Sequence, residues 1–396
     1  MALNSRILYI CPTQSWGSRE RWVIKNCKIL KEKGVEIYLY CSKGSFLEEK
    51  AKEVGVSLIY HQGKIDTKFL RWHKLFNIPA EIKLKKINLV HCFDLRFLWP
   101  LCFFLRGNPL IPMVYSQLEE TSKKYHQVWH KLLINRLDLV ILPTWGLAGN
   151  IEGHLGVGFR KMKFLGMGIA NSTEGHLKNL PSRALLNGDS KDWCLGVHVP
   201  VRLKEEGNVY PLLYALESFN SGRSQRQKKA KLYLISEKDW NFSPLFEGLM
   251  KLVQELRLVD HVVFYHDHDV SQVQLGMDLW VGISPRDVLE DYALEAMMRG
   301  IPILVPRTMG HMELLRRLGP VGETYSIGDA RELRTQLGKL FKGYKKYHRN
   351  ILKSIDKVDL NEGKDYPTEL IESYHLMLRG RERLSRRKKF LDTIQE

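Results

Sequence analysis

The chain has 396 residues, 44% of them hydrophobic and 27% charged, which is ordinary for a globular protein and enough for two cores. No run of about 18 uninterrupted apolar residues occurs, so a transmembrane helix is not expected. The formal net charge of +17 calls for an anionic partner, whether nucleic acid, an anionic membrane surface or a phosphorylated substrate.

Taken in chain order, Arg6 to Cys11 (RILYIC) reads as a buried strand. The N-terminus is too short for a secretory signal and runs straight into this strand, so a cytoplasmic location is expected. A loop from Pro12 to Ser18 leads into a helix, Arg19 to Lys33, with Trp22, Val23, Cys27 and Leu30 on its apolar face. Gly34 stops the helix, and Val35 to Cys41 is the next strand, completing the opening unit of a doubly wound fold. Glu48 to Glu53 reads as helix and Val56 to Tyr60 as strand. The most apolar stretch, Phe93 to Leu105, is interrupted by Asp94 and Arg96, and Pro100 would break a spanning helix. Further strands are expected at Asn88 to Phe93, Ile111 to Tyr115, Asp138 to Pro143 and Lys161 to Leu165, with a basic helix at Lys123 to Leu137.

Residues 171 to 191, rich in Asn, Ser, Gly and Pro, read as an interdomain linker. A second series then begins, with strands at Trp193 to Val199, Lys231 to Ser236, Val262 to Tyr265, Leu279 to Ile283 and Ile301 to Val305. Helices are expected at Pro211 to Phe219, Pro244 to Glu255 and Tyr292 to Arg299. The predicted domains are 1–172 and 190–345, followed by a helical basic segment, 346–396, expected to cross back to the first domain. Its stretch Arg379 to Lys389 holds seven basic residues against one acid, Glu382, and reads as a solvated tail or a contact for acidic headgroups. The six cysteines, Cys11, Cys27, Cys41, Cys92, Cys102 and Cys194, show no CxxC spacing and no adjoining His cluster, so buried reduced thiols and no metal site are expected. Asp267-His268-Asp269 reads as a polar loop rather than a metal motif.

Leu279 to Pro306 (LWVGISPRDVLEDYALEAMMRGIPILVP) resembles the donor-site segment of family 4 glycosyltransferases of the GT-B fold. A strand ends near Ser284 and Pro285, an acid follows at Asp287, Glu295-Ala296 comes eight residues later, and Gly300-x-Pro302 precedes another strand. Supporting pieces are Gly17-Ser18-Arg19-Glu20-Arg21 after the first strand, Asn88-Leu89-Val90-His91, and Gly310-His311-Met312-Glu313-Leu314, similar to the family's Gly-rich loop near the sugar. The resemblance covers about residues 6–345 and implies an α/β GT-B architecture, two Rossmann-like doubly wound domains facing a cleft. It implies an acceptor-binding first domain and a nucleotide-sugar-binding second one, the donor being a substrate and no cofactor being required.

By resemblance, Asp287 sits by the donor sugar as the catalytic position, Glu295 by the ribose, and Arg202 and Lys204 by the diphosphate. Gly17 and Ser18 line the opposite side. Asp291 and Tyr292 open the donor helix, whose free N–H groups and dipole suit a diphosphate. The implied reaction is metal-independent transfer of a sugar, with retention, to a lipid-linked or cell-envelope saccharide. Basic residues interleaved with aromatics, Lys68 to Phe76 and Lys123 to Leu133, suit peripheral attachment to the inner membrane face. No nucleic-acid motif accompanies the charge, so no nucleic-acid partner is expected.

Four positions depart from the family pattern. Glu206 stands for its Lys, Glu290 for a Gly, Tyr115-Ser116-Gln117 for a stretch with His, and Ala170 for an Asp. These departures define a second reading, a GT-B-shaped binding or scaffold protein without transfer activity. A basic membrane or nucleic-acid adaptor on the same fold is the third.

Overall fold

The computed structural model describes residues 5–61, 77–121, 124–125, 128–166, 192–200, 209–224, 227–237, 239–243, 245–266, 270–284, 290–355 and 366–395. The chain divides into two compact units, one of Met1–Gly168 with Leu360–Glu396 and the other of Ile169–Asp359. The proposed linker, 171 to 191, lies outside the described residues.

The N-terminal unit is built on seven parallel strands, β1 (Arg6–Ile10), β2 (Glu36–Ser42), β3 (Ser57–His61), β4 (Leu89–Cys92), β5 (Met113–Ser116), β6 (Leu139–Leu142) and β7 (Met162–Phe164), in the order β3-β2-β1-β4-β5-β6-β7. Its helices are α1 (Ser18–Glu32), α2 (Phe46–Val54), α3 (Asn77–Leu84), α4 (Leu95–Phe104), α5 (Val128–Ile134) and α6 (Gly146–Leu155). Strands β4, β5 and β6 are buried along their whole length, because helices cover both faces of a parallel sheet. That is why they read as continuous apolar runs rather than as alternations. Helix α1 buries Trp22, Val23, Asn26, Cys27 and Leu30, one face at helical spacing. Ser45 caps α2 by accepting from the Glu48 amide at 3.2 Å, and Gly55 ends it in the left-handed region at φ 70°.

Two helices differ from expectation. Pro100 lies inside α4; the ten-residue helix tolerates it, and it packs among buried neighbours. The basic helix near residue 130 is shorter than predicted, Val128–Ile134, with residues 122–123 and 126–127 outside the description.

The last helix, α14 (Tyr366–Gln395), docks on the N-terminal unit through a buried polar network. The Tyr374 hydroxyl lies 2.7 Å from that of Tyr9 and 2.6 Å from His91 Nδ1, while His91 Nε2 meets Ser116 Oγ at 2.7 Å. Tyr366 donates to Asn26 Oδ1 at 2.7 Å, and Lys163 to Ser373 Oγ at 2.9 Å. Burial holds the His91 ring well below its usual pKa, and therefore neutral. The stretch Arg379 to Lys389, within the segment expected to be helical, is part of this helix.

The C-terminal unit has six parallel strands, β8 (Trp193–His198), β9 (Ala230–Ser236), β10 (Val262–His266), β11 (Leu279–Val281), β12 (Ile303–Pro306) and β13 (Gly322–Tyr325), in the order β10-β9-β8-β11-β12-β13. Its helices are α7 (Val209–Ser221), α8 (Phe246–Glu255), α9 (Val270–Gln274), α10 (Asp291–Met298), α11 (Met309–Leu318), α12 (Ala330–Lys342) and α13 (Tyr344–Ile355). Gly196 of β8 is required by packing, since a Cβ there would stand 2.7 Å from the Trp280 ring. All six cysteines are buried and free.

Candidate functional site

In an open parallel sheet, ligands bind beyond the carboxyl ends of the strands, where the strand order reverses. In the C-terminal unit that point falls between β8 and β11, which pair directly. The residues meeting there come from strand ends and from the first turns of α10 and α11.

His198 closes β8, and Glu237 follows β9 directly. Their side chains are paired, His198 Nε2 against a Glu237 carboxylate oxygen, and Glu237 is only 3% exposed. The Tyr292 hydroxyl donates to the same oxygen at 3.5 Å, and its ring lies 4.4 Å from the imidazole. The buried carboxylate thus takes bonds from two sides, as a buried charge must. Sequence reading did not single out this pair. The available signal was that neighbouring parallel strands, with His198 in register with Ile235, both run into polar residues at the same edge.

Helix α10 carries three residues expected in the site. Asp291 and Tyr292 open it, both buried, and Asp291 complements the helix dipole. Glu295, half-buried one turn later, accepts from Ser271 Oγ at 2.7 Å. Arg299 donates to the Ser271 carbonyl at 2.5 Å and to Gln274 Oε1 at 2.6 Å, so α9 and α10 are tied together. Arg202, Lys204, Glu206 and Asp287 lie outside the described residues, as do Ala170 and Asp267 to Asp269.

Glu290, the residue standing for a glycine, is the N-cap of α10 but does not cap it with its side chain. Its carboxylate turns back to the end of β11 and accepts from the Ser284 amide at 2.5 Å. Gly282 makes the room, because a Cβ there would fall 2.6 Å from that carboxylate. The Glu290 amide donates to His311 Nε2 at 3.1 Å. His311 Nδ1 lies 3.0 Å from the Pro306 carbonyl, which can only accept. That fixes the proton on Nδ1 and leaves Nε2 as the acceptor. Burial pushes the ring down to about 4, so it is neutral near pH 7. The segment Gly310 to Leu314 is therefore not a loop but the first turns of α11, capped by Thr308 accepting from the His311 amide at 3.3 Å. Thus two backbone amides that an α/β sheet can present to an anion, one at a strand end and one at a helix start, are engaged by this chain's own groups.

Gly17 and Ser18 belong to the N-terminal unit, at the start of α1. Gly17 is extended, and a Cβ on it would meet Glu20 Oε2 at an ordinary 3.6 Å, so packing does not demand glycine. Beside it lies a charge network at the carboxyl edge of the sheet. Arg19 pairs with Glu119 and lies 3.9 Å from Asp94, which Arg96 grips through Nε at 2.9 Å. Burial alone would raise the Asp94 carboxyl, but the Arg96 hydrogen bonds and the Arg19 charge outweigh it and hold the pKa below its usual value. The network can orient a polar ligand, with Arg19 and Arg96 as its cations.

No protein-family model matches the chain, and no curated protein matches it in sequence. Solved structures do match its shape. A glycosyltransferase from Rickettsia africae is 14% identical, with 95% of this chain and 99% of that one covered and a TM-score of 0.71. HepE from Anabaena, crystallised with UDP, is 15% identical over 93% and 99% of the two chains, also at 0.71. Sucrose-phosphate synthase from Thermosynechococcus elongatus is 14% identical over 95% and 100%, at 0.73. The chain has the GT-B fold of these glycosyltransferases.

Proposed function

We propose that the chain is a glycosyltransferase using a nucleotide-diphospho-sugar, with the donor held by the C-terminal unit at the switch point of its sheet. The observation carrying this reading is the placement of α10 after the carboxyl end of β11 at the switch point. It sets Glu295 half-buried on the donor helix, within a fold whose relative HepE was crystallised with UDP-glucose. Glu295 takes the ribose hydroxyls, Arg202 and Lys204 the diphosphate, and Asp287 the donor sugar. Asp291 and Tyr292 line the helix start. Transfer proceeds with retention and without a metal. The similarity to WaaB, a lipopolysaccharide outer core galactosyltransferase, and to WaaG, a glycosyltransferase involved in lipopolysaccharide biosynthesis, favours a lipid-linked or envelope saccharide as acceptor. Calorimetric titration with UDP-, GDP-, ADP- and TDP-sugars tests the reading. Saturable binding of one of them, lost in Arg202→Ala, supports it; no binding across the panel overturns it.

Glu295→Ala is expected to weaken that binding about tenfold or more, because two hydroxyl contacts to a charged acceptor are lost. Ser271→Ala, which removes an internal partner of Glu295 but leaves its carboxylate, serves as the control. Equal affinities for wild type and Glu295→Ala would take Glu295 out of the site.

Membrane attachment is part of the same proposal. No described helix is long and apolar enough to cross a membrane. Trp129 of α5 is 73% exposed and Val128 72%, near the exposed Lys124 and Lys131. A short apolar face rimmed by lysines suits an anionic bilayer surface. Replacing Val128 and Trp129 by Ser is expected to lower binding to phosphatidylglycerol vesicles roughly tenfold. Unchanged co-sedimentation would assign the patch another role.

The Glu290 carboxylate on the Ser284 amide favours a second reading, a GT-B protein that binds without transferring. Binding of a nucleotide-sugar with no sugar transfer to any acceptor, in wild type and in a Glu290→Gly variant alike, is its signature.

A further inference from the structure

At the amino edge of the C-terminal unit's sheet, opposite the site just described, lies a groove of about 1010 Å³. It opens where the turn from α7 to β9, Pro320 two residues before β13, and the junction of α12 with α13 converge. The seven residues of β9 put roughly 20 Å between the two edges, at about 3.3 Å per residue. Five cations line it, Arg223, Arg334, Lys339, Lys342 and Lys346, and no carboxylate does among the described residues.

The ordinary explanation for lysines here is compensation of helix ends. Helices α7 and α12 both finish beside the groove, and each C-terminus carries about half a negative charge. Glu323 supplies one more, paired with Lys339 at 2.8 Å. These account for about two of the five positive charges. Arg334, Lys342 and Lys346 are exposed and have no acidic partner among the described residues. Arg223 is preset, its guanidinium held 4.1 Å over the Phe219 ring while Nη1 donates to the Lys228 carbonyl at 2.7 Å. The surplus therefore lines a concavity large enough for a discrete ligand, with one guanidinium already fixed in place.

We propose that this groove binds a soluble ligand carrying two or more linked phosphate groups, gripped by Arg223, Arg334, Lys342 and Lys346. Clustered phosphates match clustered cations, because each contact is a charge-assisted hydrogen bond. Concavity favours a compact ligand over a flat bilayer. The site stands apart from the donor reading, since none of its residues belongs to the switch-point cluster.

The test is calorimetric titration of the full chain with sodium tripolyphosphate, comparing wild type with a triple variant, Arg334→Ala, Lys342→Ala and Lys346→Ala. Wild type is expected to bind saturably and the triple variant at least about tenfold more weakly, with any UDP binding unchanged. Lys342→Glu alone, a change at an exposed position, is expected to move affinity in the same direction without shifting the melting temperature. Absence of saturable tripolyphosphate binding by wild type, or equal affinity in the triple variant, overturns the proposal. So does binding only to phosphatidylglycerol vesicles, lost in the triple variant, which would assign the cations to a membrane surface.

Discussion

Glu290→Gly is expected to raise the affinity of the chain for UDP or another nucleoside diphosphate by about ten- to a hundredfold, the range in which one like charge is felt at close quarters. The Glu290 carboxylate accepts from the Ser284 amide at 2.5 Å and packs over Gly282, at the end of the strand facing the proposed donor position. A diphosphate there would have to displace it or share the space with it. Two unit charges about 5–6 Å apart repel by about 3 kcal/mol at an effective dielectric of about 20, and solvent reduces this to about 1–3 kcal/mol. Folding should survive the substitution. Glycine is accepted at an N-cap, and the backbone amide that donates to His311 remains. Side-by-side calorimetry of wild type and variant checks the expectation. An unchanged affinity would mean that the carboxylate already swings clear when ligand binds, and weaker binding would mean that Glu290 itself contacts the ligand.

The legibility of this molecule in its sequence is uneven for physical reasons. Strands such as Leu139–Leu142 were readable because both faces of a parallel sheet are covered, so the run LVIL has no polar alternation to confuse it. The start of α10 was readable to within one residue because Asp291 marks an acidic first turn. Helix α11 was misread as a loop. Gly310 and the resemblance suggested an open segment, whereas Thr308 caps a helix whose first turns include that glycine. Within the candidate site, the sequence could group only neighbours, as with Asp291, Tyr292 and Glu295 on one helix. The contact between Glu290 and His311 spans 21 residues and that between His198 and Glu237 spans 39. Neither pair can be joined before the strand order is known. The position of Glu290 as a departure was visible in the sequence, but the direction of its side chain, back onto the strand end, was not.

His311 connects that arrangement to pH. Its ordinary pKa of 6.5 is lowered to about 4 by burial in the folded chain. As pH falls through 6.5 the unfolded chain takes up this proton, while the folded one refuses it until about 4. The unfolded state therefore binds more protons across that window, and stability rises with pH within it. Acidification from 6.5 to about 4 should cost the C-terminal unit roughly 3 kcal/mol through this group alone. Below about 4 the ring is protonated, Nε2 becomes a donor facing the Glu290 N–H, and the start of α10 loses its anchor. His91, also depressed by burial, acts in the same direction in the N-terminal unit, so the whole-chain slope does not isolate His311. His311→Gln does, because the amide keeps an acceptor near the Nε2 position and does not titrate. Urea unfolding between pH 7 and pH 4 is expected to show a slope shallower by about one proton in the variant than in wild type. Parallel slopes would show that His311 is not depressed. The neutral imidazole would then lose its place as the group that holds the Glu290 amide.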